Sequence, residues 1–278
     1  MTAMIPLLDV QELTLVYPSR QTLFGKNTGA TRAVDGVSFT IHAGETLALV
    51  GESGSGKSSL ARAILRLVEP TSGSILFDGA DLMALDRPAL RRMRRHMQIV
   101  FQDPGPALNP RMTAAALIRE GMEAHRIARD GEADKRVARL LDEVGLRNAD
   151  GGRYPHELSG GQRQRIAIAR ALAVEPKLLV LDEAVSALDV TVQAQVTELL
   201  AGLQRDRGLS YLFIAHNLAL VERIATRVAV MYLGRIVEHG LVARLYASPT
   251  HPHTRALLDA VPVPDPRRYA ASFVRDRL

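Results

Sequence analysis

The chain has 278 residues, 47% of them hydrophobic and 23% charged, so it can bury a core as one domain or as a domain with a subdomain. No apolar run approaches the roughly 18 residues of a membrane span, and the first residues lack the basic and apolar regions of a signal peptide. The absence of cysteine excludes disulfides and cysteine-ligated metal sites, and together these features predict a cytoplasmic protein.

The first segments of the chain predict strands. Residues 8–17 and 37–41 read as strands, and the polar stretch 18–32 between them predicts a loop. Residues 46–50 form a short apolar run that ends at a glycine, and this pattern predicts a buried strand.

Residues 51–58 match the phosphate-binding template G-x-x-x-x-G-K-[ST] directly after that strand, and an amphipathic helix is predicted over 59–68. Strand, glycine-rich turn and helix N-terminus together make an anion site, in which Lys57 reaches the phosphates and the Ser58 hydroxyl binds Mg²⁺. A chance match, expected in roughly one such chain in a hundred, is the alternative, but the flanking elements favour nucleotide binding. The expected nucleotide-binding residues here are Gly51, Glu52, Ser53, Gly54, Ser55, Gly56, Lys57, Ser58 and Ser59.

Strands are predicted over 73–79 and 97–101, with a helix over 88–95 between them. That helix carries the basic run 91–96, and the net charge of +5 permits contact with nucleic acid or an anionic membrane surface. No aromatic residues interleave with the arginines, so we interpret the run as a solvated helix face and expect no nucleic-acid partner.

Residues 104–157 differ in character from the rest of the chain. Prolines mark their beginning, helical periodicity follows over 112–128 and 133–144, and no convincing strand is present. This pattern predicts a helical subdomain inserted into an α/β core.

Alternation of strands and helices resumes afterwards, which predicts a mainly parallel sheet covered by helices. The predicted helices are 162–174, 190–206 and 217–225, and the predicted strands are 177–181, 209–215 and a hairpin over 228–238. A tail from residue 246 contains one predicted helix, 254–261. The tail also contains His251 and His253, which could be taken for metal ligands. They are flanked by prolines, and no carboxylate lies at a spacing typical of a metal site, so we interpret them as structural.

Two adjacent carboxylates, Asp182 and Glu183, follow the buried strand 177–181. Sites in parallel sheets lie at the carboxyl ends of strands, where the phosphate loop also lies. We therefore expect Asp182 to partner Mg²⁺ and Glu183 to polarise an attacking water. A pair of exposed turn carboxylates is the alternative, which the preceding apolar residues disfavour.

A second candidate anion site opens the helix 162–174. Ser159 is placed as its N-cap, and two glycines before the helix leave backbone N–H groups bare. Either the chain binds two anions, or this second site serves a neighbouring molecule.

The same residues carry a resemblance to ATP-binding cassette (ABC) ATPases, which covers residues 8–245 and leaves 246–278 as a tail. The string Leu158-Ser159-Gly160-Gly161-Gln162 resembles the signature motif of that family, and it precedes Asp182 by the expected distance. Further landmarks fall in order. Tyr17 resembles the aromatic that stacks on adenine, Gln102 the glutamine that contacts Mg²⁺ and the attacking water, Ser186-Ala187-Leu188-Asp189 the D-loop, and His216 the histidine that contacts the γ-phosphate.

The resemblance implies a P-loop NTPase core with an antiparallel N-terminal part, ATP and Mg²⁺ as ligands, and hydrolysis of ATP by Glu183, His216 and Gln102. It also implies pairing of two ATPase subunits, with different subunits favoured over identical ones, and with each ATP lying between one phosphate loop and the other signature motif. Two transmembrane permease subunits, and indirectly an extracytoplasmic solute-binding protein, complete the implied partners at the cytoplasmic face of the inner membrane. Ala184-Val185 and Asn217 depart from the usual family residues, which puts the rate of turnover in doubt rather than the activity.

Several strings of the sequence are similar to those of proteins that import dipeptides, oligopeptides and nickel. They include Val100 to Pro104, Leu108 to Arg111 and the tail segment His251 to Leu258. The sequence does not separate these substrates. The ATPase of a peptide or drug exporter, and a soluble ABC ATPase not coupled to transport, remain alternatives.

Overall fold

The computed structural model describes residues 5–18, 30–128 and 130–260, which form two β-sheets with helices packed around them. The strands are β1 (Leu8–Tyr17), β2 (Thr31–Ile41), β3 (Thr46–Val50), β4 (Ser72–Phe77), β5 (Ala80–Asp81), β6 (Met97–Val100), β7 (Leu178–Asp182), β8 (Ser210–Ala215), β9 (Arg227–Tyr232) and β10 (Arg235–Leu241). The helices are α1 (Lys57–Ile64), α2 (Arg87–Arg94), α3 (Ala114–Ala124), α4 (Asp130–Glu143), α5 (Gly160–Leu172), α6 (Val190–Arg207), α7 (Leu218–Ile224), α8 (Val242–Ala247) and α9 (Pro252–Asp259).

The larger sheet has the order β10-β9-β3-β8-β7-β6, in which only β10 is antiparallel to its neighbour. The smaller sheet, β2-β1-β4-β5, is antiparallel throughout. The predicted fold class, an α/β core with a mainly parallel sheet and an antiparallel N-terminal part, is therefore confirmed.

The larger sheet is buried on both faces. Along β3, Leu47 and Leu49 belong to the core shared with the antiparallel sheet and α1, whereas Ala48 and Val50 belong to the core on the opposite face. Strands covered on both sides are read as continuous apolar runs. This explains why the sequence of β3, β7 and β8 shows no alternation.

Helices α3 and α4, between β6 and β7, lie within the predicted insert. Helix α3 packs against α4 and α5, and the described residues between 101 and 177 contain no strand. The proposed limits of the subdomain, 104–157, stay a prediction. None of the helices in the described part of the chain is long and apolar enough to cross a membrane.

Several predicted boundaries were wrong, and each has a local reason. Helix α1 ends at Ile64 rather than at residue 68, because Arg66 adopts φ 48 and its guanidinium donates to Leu82 O and Leu85 O. Strand β2 begins at Thr31, inside the predicted loop, because its first residues pair with the end of β1. Residues 19–29 of that loop lie outside the described residues.

The observed boundaries of other helices also differ from the predicted ones. Helix α3 is shorter than the predicted 112–128, because Thr113 caps it and His125 ends it. Helix α9 begins at Pro252, two residues before its predicted start, and residue 261 lies outside the described part of the chain. Helix α8 was missed altogether, and the predicted boundary between cassette and tail at 245 falls within it.

Candidate functional site

The loop between β3 and α1 is held tightly against two other strands. Gly51 has φ 153 and Gly56 has φ 108, a backbone region that side chains disfavour. A Cβ atom on Gly51 would overlap the carbonyl oxygen of Met231 at the end of β9, and one on Gly56 would overlap that of Ala33 on β2. The loop therefore requires glycine at both positions for close approach as well as for conformation.

Lys57 is the first residue of α1 and is buried, with 4% of its surface exposed. Its Nζ donates to the carbonyl oxygens of Gly51 at 2.8 Å and of Glu52 at 2.7 Å. Burial lowers the pKa of Lys57, although the nearby carboxylates, Glu183 first, act in the opposite direction. A buried ammonium at the N-terminus of a helix, held by backbone carbonyls, is suited to bind phosphate.

The end of β7 brings a carboxylate to the start of the same helix. Ser58 Oγ donates to Asp182 Oδ1 at 2.8 Å, and Asp182 is also buried. Burial raises the pKa of Asp182, while the Ser58 hydrogen bond and the charge of Arg62 oppose that rise. A hydroxyl and a carboxylate oxygen side by side are the hard ligands that Mg²⁺ prefers, so these residues fit such an ion.

Glu183 and His216 face each other beyond the ends of β7 and β8. Asp182 pairs with Ile214 in the sheet, and Glu183 N donates to Ile214 O at 3.1 Å. The side chains of Glu183 and His216, which follow these strands, therefore emerge at the same edge of the sheet. His216 Nδ1 lies 3.7 Å from Glu183 Oε2. Both line a cavity of about 30 Å³, roughly the volume that one water takes up in the liquid.

Glu183 has φ 51, a left-handed conformation that costs a residue with a side chain of order 1–3 kcal/mol. The turn after it holds this conformation, because Ser186 Oγ and Ser186 N both donate to the Glu183 carbonyl, at 2.9 and 3.0 Å. The first residue of the predicted D-loop thus fixes the backbone of the predicted catalytic carboxylate.

Gln102 and Tyr17 lie at the margins of this site. Val100 pairs with Leu181, so Gln102 leaves β6 at the same edge of the sheet as Asp182, where its side chain is exposed. Tyr17 ends β1, and its hydroxyl lies 3.4 Å from Ser59 Oγ on α1. Tyr17 therefore borders the start of α1, and Gln102 lies at the sheet edge from which Asp182 emerges.

The segment Leu158 to Gln162 lies elsewhere. Ser159 Oγ accepts from Gln162 N at 3.2 Å, and Gln162 Oε1 accepts from Ser159 N at 3.0 Å, so the two side chains cap α5 reciprocally. The two glycines are the first residues of α5 and not, as predicted, residues that precede it. Within the described ranges, no hydrogen bond or ion pair joins this segment to residues 51–59.

The D-loop adjoins this segment. A Cβ atom on Gly161 would lie 2.7 Å from Val192 Cγ1 of α6, and one on Gly160 would lie 3.8 Å from Leu188 Cδ2. Asp189 caps α6 by accepting from Val192 N at 2.9 Å. Leu188 and Val192 thus form the floor on which the two glycines pack.

Sequence reasoning missed Met231, Ala33 and Arg62 as parts of the site. Met231 and Ala33 contribute backbone carbonyls that limit the space around the loop. Arg62 contributes a positive charge near Asp182. Their elements are distant in the chain from the loop or carry no motif, so no local pattern marks them.

Comparisons with known proteins agree with this geometry. The family model described as "ABC transporter" matches residues 34–186. The chain is 53% identical over 262 residues to a "Probable peptide ABC transporter ATP-binding protein y4tS" of Sinorhizobium fredii, covering 94% of this chain and 74% of that protein. It is 52% identical over 264 residues to the "Glutathione import ATP-binding protein GsiA" of Salmonella typhimurium, covering 95% of this chain but only 42% of that relative.

Two solved structures are also similar. The dimeric post-hydrolysis state of the ATP-binding cassette MJ0796, bound to ADP and Pi, superposes with a TM-score of 0.75 at 28% identity, covering 84% of this chain and 98% of that one. CbiO1 from Clostridium perfringens, described as part of the ABC transporter complex cbiONQ, gives 0.73 at 29% identity and covers 87% and 91%.

Proposed function

This chain belongs to the ABC transporter family, and from that premise we propose that it is an ATP-hydrolysing subunit that powers import of peptides across the inner membrane. The observation that carries the proposal is the convergence on one sheet edge of Lys57, the Ser58–Asp182 pair and the Glu183–His216 pair. These residues supply, in order, a phosphate cradle, a pair of magnesium ligands and groups that act on water and phosphate.

The reaction we propose is transfer of the γ-phosphoryl group of ATP to water. Lys57 and the backbone N–H groups of residues 51–58 hold the phosphates. Ser58 and Asp182 would hold Mg²⁺, and Gln102 lies at the same edge of the sheet. When bound, Mg²⁺ neutralises phosphate charge as a Lewis acid. Glu183 orients a water in the adjoining cavity, and His216, beside it, holds the γ-phosphate.

We further propose that the working unit is a pair of such subunits. Ser159, Gly160 and Gly161 lie on exposed or half-exposed surface and make no polar contact with the chain's own phosphate loop in the described residues, which leaves them free to meet another. The MJ0796 cassette to which this chain is similar is dimeric. Each ATP would then lie between Lys57 of one subunit and the signature segment of the other.

The proposed membrane partners are two permease subunits, and a groove beside the helical insert supports this. The groove, of about 320 Å³, lies between β6, α3 and α5, and its lining includes Phe101, Leu108 and Ala124. It begins next to Gln102, so a permease segment seated there would be coupled to the site. The chain itself would sit at the cytoplasmic face of the membrane.

The proposed substrate class is peptides, because the relatives' names specify a peptide transporter and import of glutathione, itself a tripeptide. Nickel, which the sequence resemblance also allows, is compatible but has no such support.

The test is Glu183→Gln, an almost isosteric loss of the proposed water-orienting carboxylate. We expect ATP hydrolysis by the assembled transporter to fall at least about 100-fold while ATP still binds, as measured by phosphate release and by nucleotide retained on the protein. The matched control is Glu198→Gln, an exposed carboxylate of α6 that makes no hydrogen bond to Lys57, Asp182 or Glu183 within the described residues, and this variant should hydrolyse ATP at the wild-type rate. Undiminished turnover in Glu183→Gln would remove this residue from the mechanism.

The substrate is tested in the same strains. Cells lacking this chain should lose uptake of labelled glutathione or dipeptides and regain it with the wild-type chain but not with Glu183→Gln. Unchanged uptake of both in the deletion strain would contradict a peptide substrate.

A further inference from the structure

The tail is fastened back onto the cassette. Glu238 of β10 accepts hydrogen bonds from Thr250 N at 2.8 Å, Thr250 Oγ1 at 2.9 Å and His251 N at 3.0 Å. Burial alone would raise the pKa of Glu238, but hydrogen bonds from the tail outweigh it and lower that pKa to about 2. Leu257 and Leu258 of α9 pack against the core on one face of the larger sheet, so the helix lies on the cassette along its length.

Because α9 is anchored in this way, one of its side chains, His253, lies at the edge of the proposed nucleotide site. The side chain of His253 is only 10% exposed, and its ring lies 4.1 Å from that of Tyr232, centroid to centroid, at 36°. Its Nδ1 lies 4.0 Å from Glu52 Oε1 in the phosphate loop. Its Nε2 is buried without a hydrogen-bond partner in the described part of the chain, so Tyr232 and Glu52 are the contacts that position it.

Both partners of His253 lead directly to the phosphate cradle. Tyr232 follows Met231, whose carbonyl abuts Gly51 so closely that only glycine fits there. The backbone carbonyl of Glu52 accepts from Lys57 Nζ at 2.7 Å. His253 therefore contacts the loop directly at Glu52 and indirectly through Tyr232 and Met231, while Lys57 holds the loop from inside.

We propose that His253 is a positioning residue for nucleotide binding, through which the seated tail helix α9 holds the phosphate loop in its phosphate-accepting shape. The inference rests on the proposed ATPase function and adds a role for a segment, residues 248–259, that the proposed mechanism does not use. It differs from our sequence-based interpretation, in which His253 served only the structure of the tail.

The first test is ATP affinity of the full chain, measured by titration with a fluorescent ATP analogue. His253→Ala removes both contacts, and we expect ATP binding to weaken by about two- to tenfold, the range for loss of one aromatic ring pair and one weak polar contact. In the assembled transporter KM for ATP should rise by the same factor, with kcat within twofold of wild type, because no group that touches the reacting atoms changes.

Two further variants separate positioning from mere folding. Arg255→Ala, on the same helix, removes bonds to Pro249 O and Thr250 O but no contact with the loop, and should bind ATP as the wild type does. His253→Phe keeps the ring against Tyr232 and should recover part of the affinity. Adding Glu52→Gln to His253→Ala should cost less than Glu52→Gln costs alone, because the pair is already broken.

These measurements distinguish failure of the His253 proposal from failure of the proposed ATPase function. Wild-type affinity in His253→Ala, or an equal loss in Arg255→Ala, would overturn the proposal while leaving the ATPase function intact. A fall in kcat at unchanged KM would also overturn it, since a braced loop acts on binding. Failure of the wild-type chain to bind ATP at all would instead refute the proposed function.

Discussion

Gly56→Ala tests the claim that the phosphate loop is shaped by its approach to β2 and β9. A methyl group here would sit in a backbone conformation with φ 108, overlap the carbonyl oxygen of Ala33 and lie 2.8 Å from Met231 Cε. That carbonyl is part of the backbone of β2, so rotation of a side chain does not relieve the overlap. We expect the loop to move.

The cost has two parts. The left-handed conformation costs a residue with a Cβ about 1–2 kcal/mol, and inserting a methyl into packed surroundings typically costs a further 1–3 kcal/mol. The sum, about 2–5 kcal/mol, corresponds to a melting temperature lowered by roughly 10 °C for a chain of this size. Because a shifted loop no longer aims its N–H groups at one anion, ATP affinity should fall at least about 30-fold, the equivalent of about 2 kcal/mol.

Gly208→Ala is the matched control. Gly208 ends α6 with φ 64, but a Cβ atom there would meet nothing within 4 Å. This variant carries the conformational cost alone, about 1–2 kcal/mol, at a site remote from the loop. Its melting temperature should fall by only a few degrees, and its ATP affinity should match the wild type.

Differential scanning calorimetry and the fluorescent ATP titration measure both quantities on the same preparations. If Gly56→Ala loses no more stability than Gly208→Ala and binds ATP within twofold of wild type, close packing of the loop against Ala33 and Met231 does not shape the site.

Two other variants extend these expectations. Ser159→Arg places a large charged side chain on the signature segment, so ATP hydrolysis by the assembled transporter should be lost while ATP affinity of the isolated chain stays within twofold; loss of affinity in the isolated chain would argue against a two-subunit site. Glu238→Gln weakens the tail anchor and should lower the melting temperature at pH 7 by a few degrees, in line with loss of charge-assisted bonds on a half-buried group. Because the pKa of Glu238 is lowered from 4.5 to about 2, this difference should be constant above about pH 4.5 and shrink as the pH falls towards 2; a difference that grew with acid would contradict the assignment.

The sequence alone predicted most of the fold because its signals are local. Buried strands such as β3 and β7 are continuous apolar runs, and the phosphate loop is a contiguous motif between a strand and a helix. The order of elements then requires a mainly parallel sheet, since alternation of strands and helices admits few other arrangements. Boundaries were less accurate because residues such as Arg66 end a helix through contacts with a distant loop.

The sequence selected Lys57, Ser58, Asp182, Glu183 and His216 as candidate site residues, because each stands at the end of a strand or the start of a helix. It placed them in order along the chain but not in space. Their distances, such as 2.8 Å from Ser58 Oγ to Asp182 Oδ1, follow from the strand order β3-β8-β7. No spacing in the sequence encodes that order.

What only the tertiary structure decided is which distant residues lie against the candidate site. The sequence gives no reason to connect His253 with Glu52, two hundred residues earlier, or Met231 with Gly51. Such pairs form because β9 lies beside β3 in the sheet and β10 then carries the tail back over the loop, anchored at Glu238. A motif is fixed by local chemistry, whereas its support depends on contacts that exist only once the whole chain has folded.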